Sequence, residues 1–304
     1  MIPSFVVRLG LACLVALATP PSWGGAAEIP ARNADLFRNL TARLSADGFD
    51  EGLLSSLYGQ DRVRFDSDTV SVFFMHSEAR LDYGQFLQPE ALEDARRYME
   101  THAAALAAAQ SAFAVDREIV TAILLVETRL GVYIGKRGVL DTLSTMAALA
   151  DERLRAYLWD AIPPERRLSK EAYAKKAEYK ARWAYQELKA FLAYTSREGV
   201  SPTEIRGSYA GAVGISQFLP SNILALGRDG NNDGRIDLFD HADAIMSVAH
   251  YLHVAGWRPE IGPEKAYRAI LRYNRSRPYA QTILRIAELL KSGCGTGTGA
   301  ANLR

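Results

Sequence analysis

Helical periodicity is the feature of this sequence that most constrains its fold. Apolar side chains recur every three or four positions through most of residues 33–291, and this spacing predicts amphipathic helices. Strand signals are few, and the best of them, SVFF at residues 71–74, is short. We therefore predict a mainly α fold in which loops carry the unusual residues.

The predicted helices are separated by short breaks rather than by long linkers. They cover residues 33–47, 88–113, 116–130, 140–150, 170–198, 240–256, 263–273 and 278–291. Asp116 is positioned to cap the third helix, and Gly131 follows its far end. Since no internal repeat or low-complexity linker interrupts the chain, we predict one domain over residues 28–290.

The first 27 residues have the pattern of a secretory signal peptide. Arg8 precedes an apolar run at residues 9–18, which is followed by the breaker segment TPPSWGGAA. We expect cleavage before Glu28 and export of the rest of the chain. The run is too short to span a bilayer, and Cys13 lies inside it rather than after it, so we expect no firm membrane anchor.

Composition indicates a globular protein and argues against some classes of partner. The 304 residues are 48% hydrophobic, and 36 Lys and Arg balance 35 Asp and Glu, which is not the pattern of a dedicated nucleic-acid binder. Without the signal peptide, Cys294 is the one cysteine, so an internal disulfide is excluded. Cys294 lies in a glycine-rich segment that we predict to be a flexible tail, residues 291–304.

The stretch ILLVETRLG, residues 123–131, places a carboxylate inside an otherwise apolar helix. Burying a lone carboxylate is costly, and burial raises its pKa. A carboxylic acid that stays protonated near neutral pH is what general acid catalysis requires. Glu127 is therefore a candidate catalytic acid. The alternative is a helix-end glutamate that pairs with Arg129 or Lys136.

Residues 229–240, DGNNDGRIDLFD, match the template of a calcium-binding loop. The matching positions are Asp229, Asn231, Asp233 and Gly234. Ca²⁺ takes six to eight oxygen ligands, and alternate positions of such a loop point inward. The alternative is a surface turn rich in Asp, Asn and Gly.

Three further residues would complete this loop. Arg235 would contribute its backbone carbonyl. The twelfth position holds Asp240 where the template has a bidentate glutamate, so the site is either weaker or closed by a later carboxylate. Asp243, at the start of the next helix, is the candidate. We predict a single EF-hand-like loop that binds Ca²⁺ in a structural role.

Two polar segments follow the predicted helix over residues 170–198. GSYAGAVGISQFLPS, residues 207–221, lacks the Gly-Lys-Ser/Thr of a phosphate-binding loop, so Ser208 and Gln217 are better read as lining a cleft for a polar substrate. The plain alternative is that Gln217 is a satisfied helix residue. In RYNRSRPY, Tyr273 and Tyr279 fit a sugar-binding groove, although tyrosines are as common in cores.

In their order and spacing, these segments resemble the lytic murein transglycosylase B family, lysozyme-like enzymes that cleave bacterial cell-wall glycan. VETRLGVYIGKRGVLDTLSTMAAL resembles the catalytic block, in which Glu127 matches the single catalytic glutamate. The resemblance covers about residues 80–290 and implies a lysozyme-like core at about residues 112–290 with additional helices. An extra β-rich insertion of some members, between Trp257 and Tyr273 here, is absent from this sequence.

The resemblance also implies roles for residues in the other blocks. The residues that it assigns to the substrate are Ser208, Gln217, Phe218, Tyr251, Tyr273 and Tyr279, with Arg153 as a looser match near the peptide stem. It puts Asp243 forward as the closing calcium ligand. The implied partner is the glycan strand of peptidoglycan, acted on by a monomer in the periplasm of a Gram-negative bacterium.

The implied reaction needs one carboxylate where ordinary glycosidases use two. Glu127 would protonate the glycosidic oxygen between N-acetylmuramic acid and N-acetylglucosamine. It would then take the proton of the C6 hydroxyl, which closes a 1,6-anhydro ring. No water is consumed, so the enzyme would be a lyase.

Three other functions are compatible with parts of this sequence. A hydrolytic muramidase would need an aspartate across the cleft, and Asp141 is the nearby candidate, although it resembles a helix cap. A calcium-stabilised module that binds glycan without cleaving it would leave Glu127 unexplained. A calcium sensor is disfavoured because a single loop lies inside a long α domain.

Overall fold

The computed structural model describes residues 33–75 and 82–293, which are helical through most of their length. The predicted signal peptide and the predicted tail from residue 294 lie outside the described residues. The α-helices are α1 (Asn33–Leu36), α2 (Arg38–Ala46), α3 (Glu51–Tyr58), α4 (Ser67–Met75), α5 (Pro89–Thr101), α6 (Ala103–Phe113), α7 (Arg117–Thr128), α8 (Val139–Ala148), α9 (Glu152–Ala161), α10 (Lys170–Glu198), α11 (Pro220–Leu226), α12 (His241–Val254), α13 (Pro263–Tyr273) and α14 (Arg277–Gly293). Short 3₁₀ helices cover Tyr83–Leu87 and Pro164–Arg166.

The long helix α10 has the boundaries that the sequence predicts. Ser169 precedes it, and the Ser169 hydroxyl accepts a hydrogen bond from the backbone N–H of Ala172, which caps the first turn. Gly199 ends the helix in a left-handed conformation with φ 66°, which a residue without a Cβ adopts at little cost. Helix α10 packs against α8 and α11, and α11 begins at the end of the glycine-rich loop.

The predicted single helix over residues 88–113 is wrong, because two helices meet there at His102. The backbone of His102 has φ −107° and ψ 26°, outside the helical region. The ring of His102 stacks on the ring of His241, with centroids 4.4 Å apart. Tertiary contact with α12 therefore accompanies a break that the alanine-rich sequence does not reveal.

The weak strand signal at residues 71–74 does not correspond to a strand, because this segment forms the second half of α4. The Asp66 carboxylate accepts the backbone N–H of Thr69 at 3.0 Å, which caps the start of the helix. Val70 and Phe74, four residues apart, are buried on one face. A short apolar run does not distinguish a strand from a buried helix, and the capping aspartate decides between them here.

The described strands form one small antiparallel pair, and the first of them follows α7 in the chain. Strand β1 (Arg137–Gly138) pairs with β2 (Arg206–Gly207), with Arg137 opposite Gly207. Gly135 precedes this pair with φ +92°, and a Cβ at that position would lie 2.1 Å from the carbonyl oxygen of Gly207. Only glycine permits this close approach of the two backbones.

Helix α7 lies at the centre of the described core. Every residue from Ile119 to Thr128 is buried. Helix α14 packs along α7, while α5, α6 and α12 contact it elsewhere. One hydrophobic cluster runs from Phe37 to Leu290, so the helices share a single core. Within the described ranges, no helix combines the length and the apolar character that crossing a bilayer would require.

Candidate active site

Glu127 is buried in the last turn of α7. The residue is 4% exposed, and the preceding apolar residues Ile123–Val126 are buried with it. The sequence-based expectation of a carboxylate embedded in an apolar helix is therefore met in the structure. Burying a charged carboxylate is costly unless hydrogen bonds compensate it.

The hydroxyl of Tyr279 provides one such compensation. Its Oη donates a hydrogen bond to Oε1 of Glu127 at 2.7 Å, and this contact joins α7 to α14. Burial and the charge of Glu127 raise the pKa of Tyr279 well above its ordinary value. Tyr279 therefore remains a neutral phenol, and it donates its proton to the carboxylate rather than competing with it for one.

A row of aromatic rings extends from Tyr279 away from Glu127. Tyr273 stacks on Tyr279 with centroids 6.5 Å apart and planes at 6°. Tyr251 meets Tyr273 edge to face at 4.8 Å. Phe218 contacts both Tyr251 and Tyr273, at 5.7 and 5.9 Å. Four residues singled out from three segments of the sequence therefore form one aromatic row that ends at Glu127.

The hydroxyls of Tyr251 and Tyr273, farther along this row, donate hydrogen bonds to backbone carbonyls. The Tyr251 hydroxyl donates to the carbonyl of Arg272 at 2.6 Å, and burial raises the pKa of Tyr251 to about 12. The Tyr273 hydroxyl donates to the carbonyl of Ser216 at 2.5 Å, and burial, followed by the charge of Glu127, raises the pKa of Tyr273 well above its ordinary value. Both groups stay neutral donors, and they fix α12 and α13 relative to the glycine-rich loop.

The glycine-rich loop is also tied to the end of α7. The Thr128 hydroxyl donates to the carbonyl of Ile215 at 2.9 Å and accepts the N–H of Gly131 at 3.0 Å. Arg129 and Leu130 have positive φ of 48° and 60°, and Gly131 has φ 95°, so α7 ends in a tight left-handed turn. The residues after Glu127 thus turn directly towards the loop.

Asp116 stands at the N-cap position of α7, as predicted, but its side chain does not cap the helix. Its carboxylate instead accepts a hydrogen bond from Nζ of Lys291 at 2.7 Å. This ion pair joins the start of α7 to the end of α14. The same two helices are joined near the other end of α7 by Glu127 and Tyr279.

Ser208 and Gln217 hold the glycine-rich loop in shape. The Ser208 hydroxyl is buried and accepts the N–H groups of Ala210 and Ala212, at 3.2 and 3.0 Å. Gln217 has φ 50°, and its amide nitrogen donates to the carbonyls of Gly214 and Ile134 at 2.7 and 3.3 Å. Its amide oxygen is buried and accepts no hydrogen bond from the described residues.

Arg153 and Asp141 lie apart from this cluster in their contacts. The Arg153 side chain is 82% exposed and pairs with Asp151 at 2.8 Å. Asp141, expected as a helix cap, lies inside α8, where its carboxylate accepts the backbone N–H of Arg64 at 3.0 Å. Burial raises the pKa of Asp141. The predicted role of Arg153 near a peptide stem stays a prediction.

Three residues of the site are missing from the sequence-based set. Tyr83 meets Tyr279 edge to face at 6.4 Å, from the 3₁₀ helix Tyr83–Leu87. Arg129 holds that helix, because its guanidinium donates to Oε1 of Gln85 at 3.0 Å. Glu187 of α10 is buried and accepts both the N–H and the hydroxyl of Ser221, at 3.0 and 2.8 Å. The sequence carries no local signal for these pairings, which join distant segments.

The acidic loop folds around its own backbone N–H groups. Asp229 accepts the N–H groups of Asp233 and Gly234, at 3.2 and 2.8 Å. Asn231 accepts the N–H of Asp233 at 3.0 Å, and Asp233 accepts that of Arg235 at 2.9 Å. The side-chain oxygens at alternate positions therefore accept hydrogen bonds from backbone N–H groups of the same loop.

Asp243 closes this loop, whereas Asp240 caps the next helix. Asp243 is 0% exposed, and its two oxygens accept the N–H groups of Gly230, Asn231 and Asp237. Asp240 accepts the N–H groups of Ala242 and Asp243 at the start of α12. In the described part of the chain, no group of three or more His, Cys, Asp or Glu side chains is close enough to hold a metal.

The geometry around Glu127 suits proton transfer. A buried carboxyl group with one oxygen on a neutral phenol can hold a proton in one state and accept a hydrogen bond in the other. Aromatic side chains around it exclude water and lower the local dielectric, which strengthens its electrostatic effect on a reacting group.

Comparison with known proteins identifies related sequences. The sequence profile of the transglycosylase SLT domain family matches residues 32–264. The membrane-bound lytic murein transglycosylase B of Escherichia coli (strain K12) is 32% identical over 173 residues, which are 57% of this chain and 40% of that protein. The chain therefore aligns with less than half the length of this relative.

Solved structures share the fold. The lytic transglycosylase Slt35 of Escherichia coli, in complex with calcium, superposes with a TM-score of 0.68 at 22% identity, over 86% of this chain and 94% of that one. SltB1 of Pseudomonas aeruginosa gives 0.69 at 24% identity, over 88% and 100%. SltB3 of the same organism, in complex with NAG-NAM-pentapeptide, gives 0.67 at 21%, over 90% and 83%. The predicted lysozyme-like, mainly α fold is confirmed.

The bond between Tyr279 and Glu127 can be measured through stability. We expect a double-mutant cycle of Tyr279→Phe and Glu127→Ala to give a coupling free energy of about 0.5–1.5 kcal/mol, the usual net contribution of one hydrogen bond. The free energy of unfolding of the four proteins would be taken from urea titrations at pH 7. The matched cycle with Tyr273→Phe, whose hydroxyl bonds the Ser216 carbonyl, should give a much smaller coupling. Equal coupling in both cycles would contradict this assignment.

Proposed function

Because this chain belongs to the transglycosylase SLT domain family, we propose that it is a peptidoglycan lytic transglycosylase. It cleaves the β-1,4 bond between N-acetylmuramic acid and N-acetylglucosamine and leaves a 1,6-anhydro-N-acetylmuramic acid end. The observation that carries the proposal is Glu127, a buried carboxyl group held by a phenol at the end of an aromatic row.

In the first step, Glu127 donates its proton to the glycosidic oxygen. The bond from that oxygen to C1 of the muramic acid breaks, and positive charge develops at C1. The acetamido group of the same sugar stabilises this centre, so no protein nucleophile is required. Glu127 becomes a carboxylate at this point, and the Tyr279 hydroxyl is placed to stabilise that charge.

In the second step, Glu127 takes back a proton. The C6 hydroxyl of the muramic acid attacks C1 and forms the 1,6-anhydro bond, and its proton passes to the Glu127 carboxylate. The enzyme returns to its starting protonation state, and no water is used. This scheme requires one carboxyl group, and Glu127 has the Tyr279 phenol as a described partner. Asp141 accepts a hydrogen bond from the backbone N–H of Arg64, and the scheme does not use it.

We assign substrate contacts to the loop and aromatic residues around Glu127. The orphaned amide oxygen of Gln217 is available to accept a hydrogen bond from an amide or hydroxyl of the sugar. Tyr251 is partly exposed and is placed to contact the sugar, while the buried Phe218 ring packs against it. Ser208, Tyr273 and Tyr279 act as positioning residues, because their hydroxyls are engaged within the protein.

The substrate lies outside the cytoplasm, so the proposed activity requires export. This requirement agrees with the signal peptide predicted over residues 1–27. We place the enzyme in the periplasm and assign it peptidoglycan strands as partner, acting as a monomer.

Product analysis tests the reaction directly. We expect purified peptidoglycan, digested with residues 28–304, to release muropeptides that end in 1,6-anhydro-N-acetylmuramic acid. Glu127→Gln should lower the rate by about 10²–10⁴-fold, the usual contribution of general acid–base catalysis. Mass spectrometry of the soluble products is the measurement.

A matched variant separates loss of the acid from loss of the fold. Glu118→Gln alters a glutamate at the start of the same helix, which pairs with Arg117, and should keep wild-type activity. Reducing ends in place of anhydro ends would make the protein a hydrolytic muramidase. Binding to the wall without soluble product would identify a binding module instead.

We further propose that the acidic loop binds Ca²⁺ in a structural role. Oxygens of Asp229, Asn231, Asp233 and Asp243 and the carbonyl of Arg235 are ligands of the chemistry that Ca²⁺ prefers. Asp243 supports this choice because it is buried against the loop backbone. Asp240 is instead a helix cap, so the ligand set does not need it.

Thermal unfolding tests this calcium site. Saturating Ca²⁺ at about 100 times its Kd should stabilise the protein by about 2.7 kcal/mol relative to excess chelator, and the midpoint Tm should rise by several degrees. Asp229→Asn should abolish most of that shift. Asp240→Asn preserves the cap and should retain it. If both variants lose the Tm shift equally, Asp240 is a metal ligand. If the wild type shows no Tm shift, the loop does not bind Ca²⁺.

A further inference from the structure

A lysine of α10 lies among aromatic rings on a face that the proposed reaction does not use. Nζ of Lys180 is 4.6 Å from the ring centroid of Phe73, 5.0 Å from that of Trp183 and 5.7 Å from that of Tyr179. The Phe73 and Trp183 rings stack at 15°, and Tyr209 contacts Phe73 at 6.1 Å. We name these five residues the Lys180 cage.

Lys180 is buried without an acidic partner. The residue is 8% exposed, and among residues 33–75 and 82–293 no carboxylate forms an ion pair with it. Lys176, one turn earlier, also lacks an ion pair there, and its Nζ lies 3.4 Å from the carbonyl of Phe74. Burial, followed by the charge of Lys176, lowers the pKa of Lys180 to about 8, so the ammonium form prevails at neutral pH.

An ammonium held in this way is costly for the fold. Cation–π contacts return about 0.5–2 kcal/mol, but they do not replace the hydrogen bonds to water that a buried ammonium loses. A methionine of similar length would fill the same space without that cost. A lysine at this position is therefore better explained by binding of a ligand than by a contribution to stability.

The cage is connected to the proposed substrate cleft through the glycine-rich loop. Tyr209 directly follows Ser208, whose backbone N–H donates to the carbonyl of Ala212 at 2.9 Å. Val213 then pairs with Phe218, the residue at one end of the aromatic row. One short, internally bonded loop therefore carries a cage residue at its start and a cleft residue at its end.

We propose that the Lys180 cage is a subsite for the carboxylate of a short acidic peptide attached to the glycan. The ammonium would bind the carboxylate, and the ring faces would contact methyl and Cα–H groups beside it. Tyr179 is 49% exposed, so the cage includes a residue at the protein surface. This inference rests on the proposed function, in which peptide-bearing glycan is the substrate, and it makes Lys180 a determinant of preference for glycan that carries peptides.

Direct binding gives the first test. The probe is N-acetyl-alanyl-glutamate, titrated against the full chain while the indole N–H signals of its tryptophans are followed by NMR. We expect the Trp183 signal to shift, and Lys180→Met to weaken the Kd by about tenfold or more, as for loss of one charge-assisted contact. Lys175→Met, an exposed lysine of the same helix, is the matched control and should leave the Kd unchanged.

Three outcomes of that titration would overturn the proposal. They are no binding by the wild type, equal binding by Lys180→Met, and equal competition by inorganic phosphate, which would indicate a nonspecific anion site. Thermal unfolding of Lys180→Met checks that the variant is folded, and we expect its Tm to equal or exceed the wild-type Tm. A lower Tm would identify Lys180 as a structural residue and would also contradict the proposal.

Cleavage assays then separate this inference from the proposed function. We expect the ratio of kcat/KM for peptide-bearing glycan to kcat/KM for amidase-stripped glycan to fall about tenfold in Lys180→Met, and to stay unchanged in Lys175→Met. Equal ratios in wild type and Lys180→Met would overturn the subsite while leaving the enzyme in place. If the wild type cleaves neither glycan, the proposed function fails, and the binding measurement decides the subsite alone.

Discussion

The hydrogen bond from Tyr279 to Glu127 is the contact on which the site depends. It lets α7 carry a carboxylate into the centre of the core, where burial alone would be costly. The phenol comes from α14, so the pairing exists only after residues far apart in sequence have packed together. The ion pair between Asp116 and Lys291 joins the same two helices at the start of α7. Folding and the state of the acid are therefore coupled in one helix pair.

Helix α10 has a complementary role, because it positions both loops that flank the site. Its buried Glu187 accepts two hydrogen bonds from Ser221 at the end of the glycine-rich loop. Three turns later, Glu198 accepts the N–H of Ile236, and the Tyr194 hydroxyl donates to the carbonyl of the same residue. Buried carboxylates on α10 thus support the irregular backbone of these two loops through hydrogen bonds. Burial raises the pKa of Glu187, so this support costs free energy that the loop bonds offset.

Much of this arrangement could be predicted from the sequence, and the rest could not for identifiable reasons. Glu127, Tyr273 and Tyr279 were accessible because each stands in a segment with a recognisable local pattern, whereas Phe218 and Tyr251 were accessible only through the family resemblance. Helix α10 was accessible because Ser169 and Gly199 mark its ends. At residues 71–74 the local pattern gives a weak strand signal, but a capping aspartate begins a helix there. At residue 102 the pattern indicates one continuous helix, but the helix breaks where His102 stacks on His241.

The contributions that escaped prediction are long-range. Tyr83, Arg129 and Glu187 act through partners that lie distant in the chain, and no local pattern indicates those pairings. The hydroxyls of Ser208 and Tyr273, expected at the substrate, form hydrogen bonds with the protein backbone, and their substrate contacts stay predictions. Spacing identifies which side chains belong to a site, whereas packing decides whether each one touches the substrate or holds a neighbour.

In the proposed reaction, Glu127 transfers a proton and no water molecule is consumed. Digestion of peptidoglycan in ¹⁸O-labelled water, followed by mass spectrometry of the first-formed ends, tests this most directly. We expect no ¹⁸O in the new muramic acid ends, because the oxygen that bonds C1 is the sugar's own C6 oxygen. Incorporation of one ¹⁸O at each cleaved bond would contradict it, since a water molecule would then have taken the place assigned to the C6 hydroxyl.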